Sequence, residues 1–204
     1  MWNPFKKKVQ VNNKIEPDFA DISHWEKCDF SKYEKAMIIT KCTEGVSILD
    51  NTYKAVKDGA KKKGIKFGAY HFFRCDKPTI QQARFFLSNI GSDVDYIVLD
   101  IETLDGTQPT LVNQLIKPWL EYVEKETGKT PIIYSGHAFI LAMKLDQSFT
   151  KYPLWLARYT NIRPEAPAPW KEWLWWQFSD KAAFKGIGEC DGNVYNKNSN
   201  YTPN

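Results

Sequence analysis

Apolar positions along this chain fall into two alternating rhythms: short runs of period two that end in polar residues, and longer stretches at helical spacing closed by a glycine. The period-two runs are FADIS after Pro17, MIITKCTEG from Met37, KFGAYHFF from Lys66, DYIVLDIE from Asp95, PIIYSG from Pro131, LWLARY from Leu154, WLWWQFSD from Trp173 and GNVYN from Gly192. Helices are expected over 51–64, 79–91, 110–127 and 137–144, with Gly64, Gly91 and Gly128 as stops, and a shorter one over 31–35 behind Asp29. After LWLARY the rhythm changes. The segment NIRPEAPAPW (161–170) is too short and too proline-rich for a crossover helix, and the last strands follow in quick succession. Alternating strand and helix gives a parallel sheet with right-handed crossovers. A doubly wound sheet would carry a glycine-rich phosphate turn after its first strand, which is lacking here, so the pattern predicts an α/β barrel of about eight strands.

The run at Asp95 is the most informative. Alternation puts Tyr96, Val98, Asp100 and Glu102 on one face and Ile97, Leu99 and Ile101 on the other, so two acids emerge side by side where an apolar strand ends. Adjacent carboxylates repel, and in a partly dry cleft one is pushed to keep a proton near neutral pH. A strand that merely ends in solvated acids is the plainer alternative. In a barrel, function collects at the C-terminal ends of strands, and Asp21, Lys41, Glu44, Tyr70, Asp100, Glu102, Tyr134 and Arg158 all fall there.

Composition adds little except in aromatics, which reach 15% with eight Trp and serve either as sugar-stacking faces or as core filling. A net charge of +4 without a basic stripe gives no sign of a nucleic-acid partner. Cys28, Cys42, Cys75 and Cys190 lack ligand spacing and read as free thiols, and His24, His71 and His137 are scattered, so neither metal nor cofactor is expected. His71 reads as a hydrogen-bonded core histidine. Residues 1–16 read as a basic tail or docking segment, and 17–204 as one catalytic barrel. The absence of an apolar leader or membrane span implies synthesis in a cytoplasm, then release by lysis or delivery by a partner.

Taken together, DISHW at Asp21, KCTEG at Lys41, GAYHFF at Gly68, VLDIE with Asp100 and Glu102, IIYSG with Tyr134, LWLARY with Trp155, WWQFS with Gln177 and CDGNVYN with Asp191 resemble glycoside hydrolase family 25. These are the Chalaropsis-type lysozymes of bacteria, fungi and bacteriophages. The resemblance runs from about Asp18 to Asn196 and implies an irregular, flattened TIM-like (β/α) barrel with fewer helices than strands. It further implies hydrolysis of the β-1,4 bond between N-acetylmuramic acid and N-acetylglucosamine in peptidoglycan, a setting such as that of a bacteriophage lysin, and a holin or phage-tail component as a delivery partner. Carried over, Glu102 is the general acid, Asp100 its neighbour at the reacting centre, and Asp21 and Asp191 the flanking carboxylates. Neighbouring anions are expected to keep Glu102 protonated while Asp100 and Asp21 stay ionised. Asp100 either attacks the anomeric carbon or orients the substrate's 2-acetamido group. Tyr70, Tyr134, Trp155, Trp176 and Gln177 are substrate-binding candidates, though alternation places some of the aromatics in the core. Lys41 and Arg158 either meet a muramyl carboxylate or pair with a rim acid. Val98 stands where the D-x-D-x-E motif of family 18 chitinases needs its first acid. The rival from another class is a non-catalytic wall-binding or phage structural protein that retains the barrel.

Overall fold

The computed structural model describes residues 15–199, so most of the tail expected at 1–16 lies outside the described residues. In chain order the strands are β1 (Phe19–Ile22), β2 (Met37–Glu44), the two-residue β3 (Ile48–Leu49), β4 (Lys66–Phe72), β5 (Tyr96–Asp100), β6 (Ile132–Gly136), β7 (Leu154–Ala157), β8 (Trp175–Phe184) and β9 (Gly188–Tyr195). The helices are α1 (Tyr53–Lys63), α2 (Thr79–Ile90), α3 (Val112–Thr127) and α4 (His137–Met143). Each strand from β1 to β8, β3 excepted, runs parallel to its neighbour, in the ring order β1-β2-β4-β5-β6-β7-β8. No helix spans the short stretch between β8 and β9, so β9 folds straight back as a hairpin and pairs antiparallel with both β8 and β1. That closes an eight-stranded barrel with fewer helices than strands, as expected; β3 is a short clip on the outer end of β2.

Alternation divides the core into two layers. Phe19, Met37, Ile39, Val98, Ile132, Trp155 and Trp175 fill the barrel, while Ile38, Ile97, Leu99, Ile133 and Leu156 pack outward beneath Tyr53, Phe86, Trp119 and Ile140. Inside, Phe19 meets Trp175 at 5.2 Å and Trp155 meets both Trp175, at 5.6 Å, and Tyr134, at 4.8 Å between ring centroids. This aromatic plug excludes water beneath the mouth, so polar groups at the strand ends rest on an apolar floor.

The helix expected over 31–35 does not form. Asp29 Oδ1 accepts from the Ser31 amide (3.1 Å) and hydroxyl (2.6 Å), which makes a turn instead. Tyr33 is drawn inward, its hydroxyl donating to Met37 O (2.7 Å) and accepting from Ala20 N (3.1 Å), which ties β1 to β2. His71 is a core residue, as expected. Gln82 donates to two backbone carbonyls, so its Oε1 is the acceptor facing His71 Nε2 (3.2 Å), and Nδ1 accepts from Thr43 Oγ1 (2.7 Å). Burial, the largest cause, holds the ring neutral with a pKa lowered to about 3. The four cysteines are free thiols. Among the described residues no helix is long and apolar enough to cross a membrane.

Candidate active site

Asp21 is the penultimate residue of β1, Asp100 ends β5 and Asp191 lies on β9, so three acids widely separated in sequence arrive at one mouth through strand pairing. Asp21 stands directly opposite Asp191 in the β1–β9 register, and Asp100 is level with Phe72 on one side and Tyr134 on the other. Glu102 lies two residues past the strand. Ile101 between them is fully buried, its amide donating to Tyr134 O (3.0 Å) and its carbonyl accepting from the Ser135 hydroxyl (2.6 Å), which pins Glu102 at the lip. These four carboxyls share one pocket with Tyr70, Tyr134 and Trp155. Glu102 and Tyr134 also line an open groove that continues past His137, Phe139, Arg158 and Tyr159.

Beneath the acids, Gln177 organises the floor. Its Oε1 accepts from the hydroxyls of Tyr134 (2.8 Å) and Tyr159 (3.0 Å), which turns its amide towards the carboxylates: Nε2 donates to Asp21 (3.0 Å) and to Asp191 (3.3 Å). Asn193 does the same from β9, donating to Asp21 Oδ1 at 2.6 Å while accepting from the Trp155 indole at 2.8 Å. Gln177 is 0% exposed. It is therefore corrected from a substrate contact to a residue that holds the acids in place. Trp155 is likewise buried and forms part of the pocket's wall. Trp176 is corrected outright: alternation turns it to the outer layer, where its indole donates to Arg158 O (2.8 Å), and it has no place in the cleft.

Lys41 takes the second of the two roles open to it. Its Nζ is 2.5 Å from Glu44 Oε2 and 4.8 Å from the centre of the Phe72 ring, with the side chain 12% exposed. Glu44 in turn is 3.5 Å from Arg74, which pairs with Asp105 at 2.9 Å. Arg158 is exposed along the groove, free to meet a ligand there. Asn193 and Tyr159 are additions that sequence reasoning missed. Period two from Asp191 would have found Asn193; nothing local distinguishes Tyr159.

All four carboxyls are raised above the usual range, in each case by burial first. Asp21 rises to about 6, with the Asn193 and Gln177 hydrogen bonds pulling it back, and Asp191 to about 8, pushed further by the charge of Asp21. Asp100 is lifted well above the carboxylate range by complete burial and then by Glu102, with Lys41 opposing. Glu102 rises too, and Lys41 draws it down. The expectation that anionic neighbours single out Glu102 as the proton holder is therefore corrected. Burial is the first cause of the shift at each of the four acids, and Asp21, Asp100 and Asp191 are raised along with Glu102. One oxygen of Asp100, Oδ1, is buried with no hydrogen-bond partner. Among the described residues no His, Cys, Asp and Glu group is arranged to hold a metal ion.

Comparison with known proteins agrees with this geometry. Residues 20–187 match the model of glycosyl hydrolases family 25. The chain is 34% identical over 188 residues to the uncharacterized protein YegX of Escherichia coli (strain K12), covering 86% of this chain and 68% of that one. It is 29% identical over 157 residues to the autolytic lysozyme of Clostridium acetobutylicum, covering 76% and 47% respectively. Among solved structures, a bacterial lysozyme from Streptomyces coelicolor superposes with a TM-score of 0.82 at 25% identity, covering 90% of this chain and 94% of that one.

Proposed function

The chain belongs to glycosyl hydrolases family 25, and from that premise we propose that it cleaves the β-1,4 bond between N-acetylmuramic acid and N-acetylglucosamine, with Glu102 as general acid. The observation that carries this reading is the convergence of Asp21, Asp100, Glu102 and Asp191 on one pocket that adjoins, at Glu102, an open groove lined by His137, Phe139, Arg158 and Tyr159. Breaking a glycosidic bond requires a proton on the leaving oxygen while positive charge builds on the sugar. Glu102 is the one acid of the four at the lip, where the leaving oxygen of a chain lying in the groove would pass, and its raised pKa favours the protonated form needed for donation. Asp21, held by two amide donors, faces the charge that develops below. Asp100, enclosed beside Glu102 in the same pocket, either attacks the anomeric carbon or orients the substrate's 2-acetamido group.

Digestion of purified sacculi, followed by borohydride reduction and mass spectrometry, is expected to show N-acetylmuramic acid at every new reducing end. Reducing N-acetylglucosamine ends would move the cut to the other glycan bond. Tight binding without new ends would favour the wall-binding rival.

Lys41 gives a second handle. Its ammonium is the cation that lowers both Asp100 and Glu102, so Lys41→Met raises both pKa values and shifts the profile of kcat/KM against pH to higher pH, by about one unit or less because Glu44 already offsets part of the charge. A rise in KM with an unmoved profile would show instead that Lys41 meets a substrate carboxylate.

A further inference from the structure

Seven tryptophans lie among the described residues; six are buried, and Trp25 is 81% exposed. Its setting is built rather than incidental. Trp25 follows β1 by three residues, in a turn where Glu26 Oε2 accepts from the Ser23 amide (2.9 Å) and Glu26 N donates to Ser23 O (3.1 Å). One face of the indole packs against the His24 ring, with centroids 4.5 Å apart and planes at 38°. His24 is itself clamped, its backbone N and its Nδ1 each 3.0 Å from Asp50 Oδ2. The other oxygen of Asp50 accepts from the Thr52 amide (2.9 Å) and hydroxyl (2.6 Å), and Asp50 is only 5% exposed. A buried carboxylate with four hydrogen bonds thus braces a histidine, which backs a tryptophan whose other face meets water. Such an arrangement lowers the entropy lost when a ligand ring settles on the indole.

Its place on the mouth indicates which ligand. In the ring order β1-β2-β4-β5-β6-β7-β8-β9, β1 is four steps from β6 in either direction, so Trp25 stands across the mouth from the groove that begins at Tyr134. The acids lie between. Asp21 is four residues before Trp25 on the same strand end, the charge of Glu26 reaches both Asp21 and Asp191, and that of Asp50 reaches Tyr70. A linear polymer with one unit in the Arg158–Tyr159 groove and its reacting bond over the acids extends, on its far side, towards Trp25. Pyranose rings present an apolar face that suits an exposed indole with a polar surround.

We propose that Trp25, braced by His24 and Asp50, is a stacking site for a sugar of the glycan strand on the opposite side of the cleaved bond from the Arg158–Tyr159 groove. The proposal rests on the peptidoglycan reading above and adds to it a subsite that matters only for chains long enough to cross the mouth. The test uses the full chain. With soluble glycan strands freed from sacculi by an amidase, Trp25→Ala is expected to raise KM about three- to tenfold at nearly unchanged kcat, and Trp25→Phe to keep most of the affinity. His24→Ala should give a smaller rise by loosening the brace. In a Glu102→Gln background the same strands should protect wild-type Trp25 from acrylamide quenching, with protection lost in Trp25→Phe. Because Trp25 is exposed, its variants should melt like the parent, which separates binding from folding. An unchanged KM for Trp25→Ala, or strands that bind without shielding the indole, overturns the stacking site while leaving the hydrolase reading intact. Failure of the unaltered protein to cut any strand overturns the hydrolase reading, and this inference with it.

Discussion

Replacing Glu102 with Gln is expected to lower kcat on purified wall by about 10²–10⁴-fold, the range typical for losing a positioned general acid, while the protein stays folded and still binds sacculi. Gln preserves size and can still hydrogen-bond the glycosidic oxygen, so what is removed is the transferable proton. Folding should tolerate the change because Glu102 projects from the lip, and the contacts that fix this segment belong to the backbone of Ile101 and the hydroxyl of Ser135. A further consequence separates this account from simple damage to the site. The charge of Glu102 is one of the causes that raise Asp21, Asp100 and Asp191, so its removal lets all three ionise at lower pH. NMR titration of the carboxyl carbons in the variant should therefore show the remaining acids moving down. Ordinary turnover in the variant would exclude Glu102 as the donor. Lost turnover with unmoved neighbours would mean that the four acids do not share one electrostatic environment.

What sequence made legible follows from the reach of each rule. Alternation over Tyr96–Asp100 is local, and it separated Val98 and Asp100 from Ile97 and Leu99; the structure turns the first pair into the barrel and the second outward. The same rule, carried into WLWWQFSD, separates Trp175, inside, from Trp176, outside; it names two faces without saying which one meets substrate. The antiparallel closure by β9 was not visible, since pairing of Asp21 with Asp191 is a register set by ring closure, not by either segment alone. The partners of Gln177 and Asn193 were hidden for the same reason, although Gln177 was a candidate and period two from Asp191 reaches Asn193: an amide's partners are chosen by what the neighbouring strands bring to its level. The failed helix at 31–35 shows competition of another kind. Its polar residues offered a cap, but a tyrosine hydroxyl with two buried backbone partners outweighed a single helical turn. Lys41, finally, was placed correctly at a strand end, yet its partner Glu44 comes within reach through the irregular register that β2 adopts between Lys41 and Thr43.

A protein that gathers four acids at one mouth gives up stability for them, and the amount should vary with pH in a predictable sense. Asp191 has a carboxyl near 3.8 when unfolded and near 8 when folded, raised by burial and then by Asp21. Between those values the folded chain holds a proton that the unfolded chain has released, so unfolding is increasingly favoured as pH climbs through the window. About a unit below pH 3.8 the group is neutral in both states and costs nothing; above about pH 8 the full cost is present. Asp191→Asn keeps an acceptor for the Gln177 amide, now 3.3 Å from Asp191 Oδ2, and removes the charge. Urea unfolding should therefore find the variant more stable than the parent at pH 9, by on the order of 1–2 kcal/mol once solvent screening of this half-buried group is allowed for, with the difference closing towards about pH 3. Its activity should fall, because Asp21 loses the partner whose charge helps keep protons within the cluster. Equal stability of the two proteins at both pH values would mean that Asp191 is not held against its neighbours, and the acids could not then act as a common store of protons for Glu102.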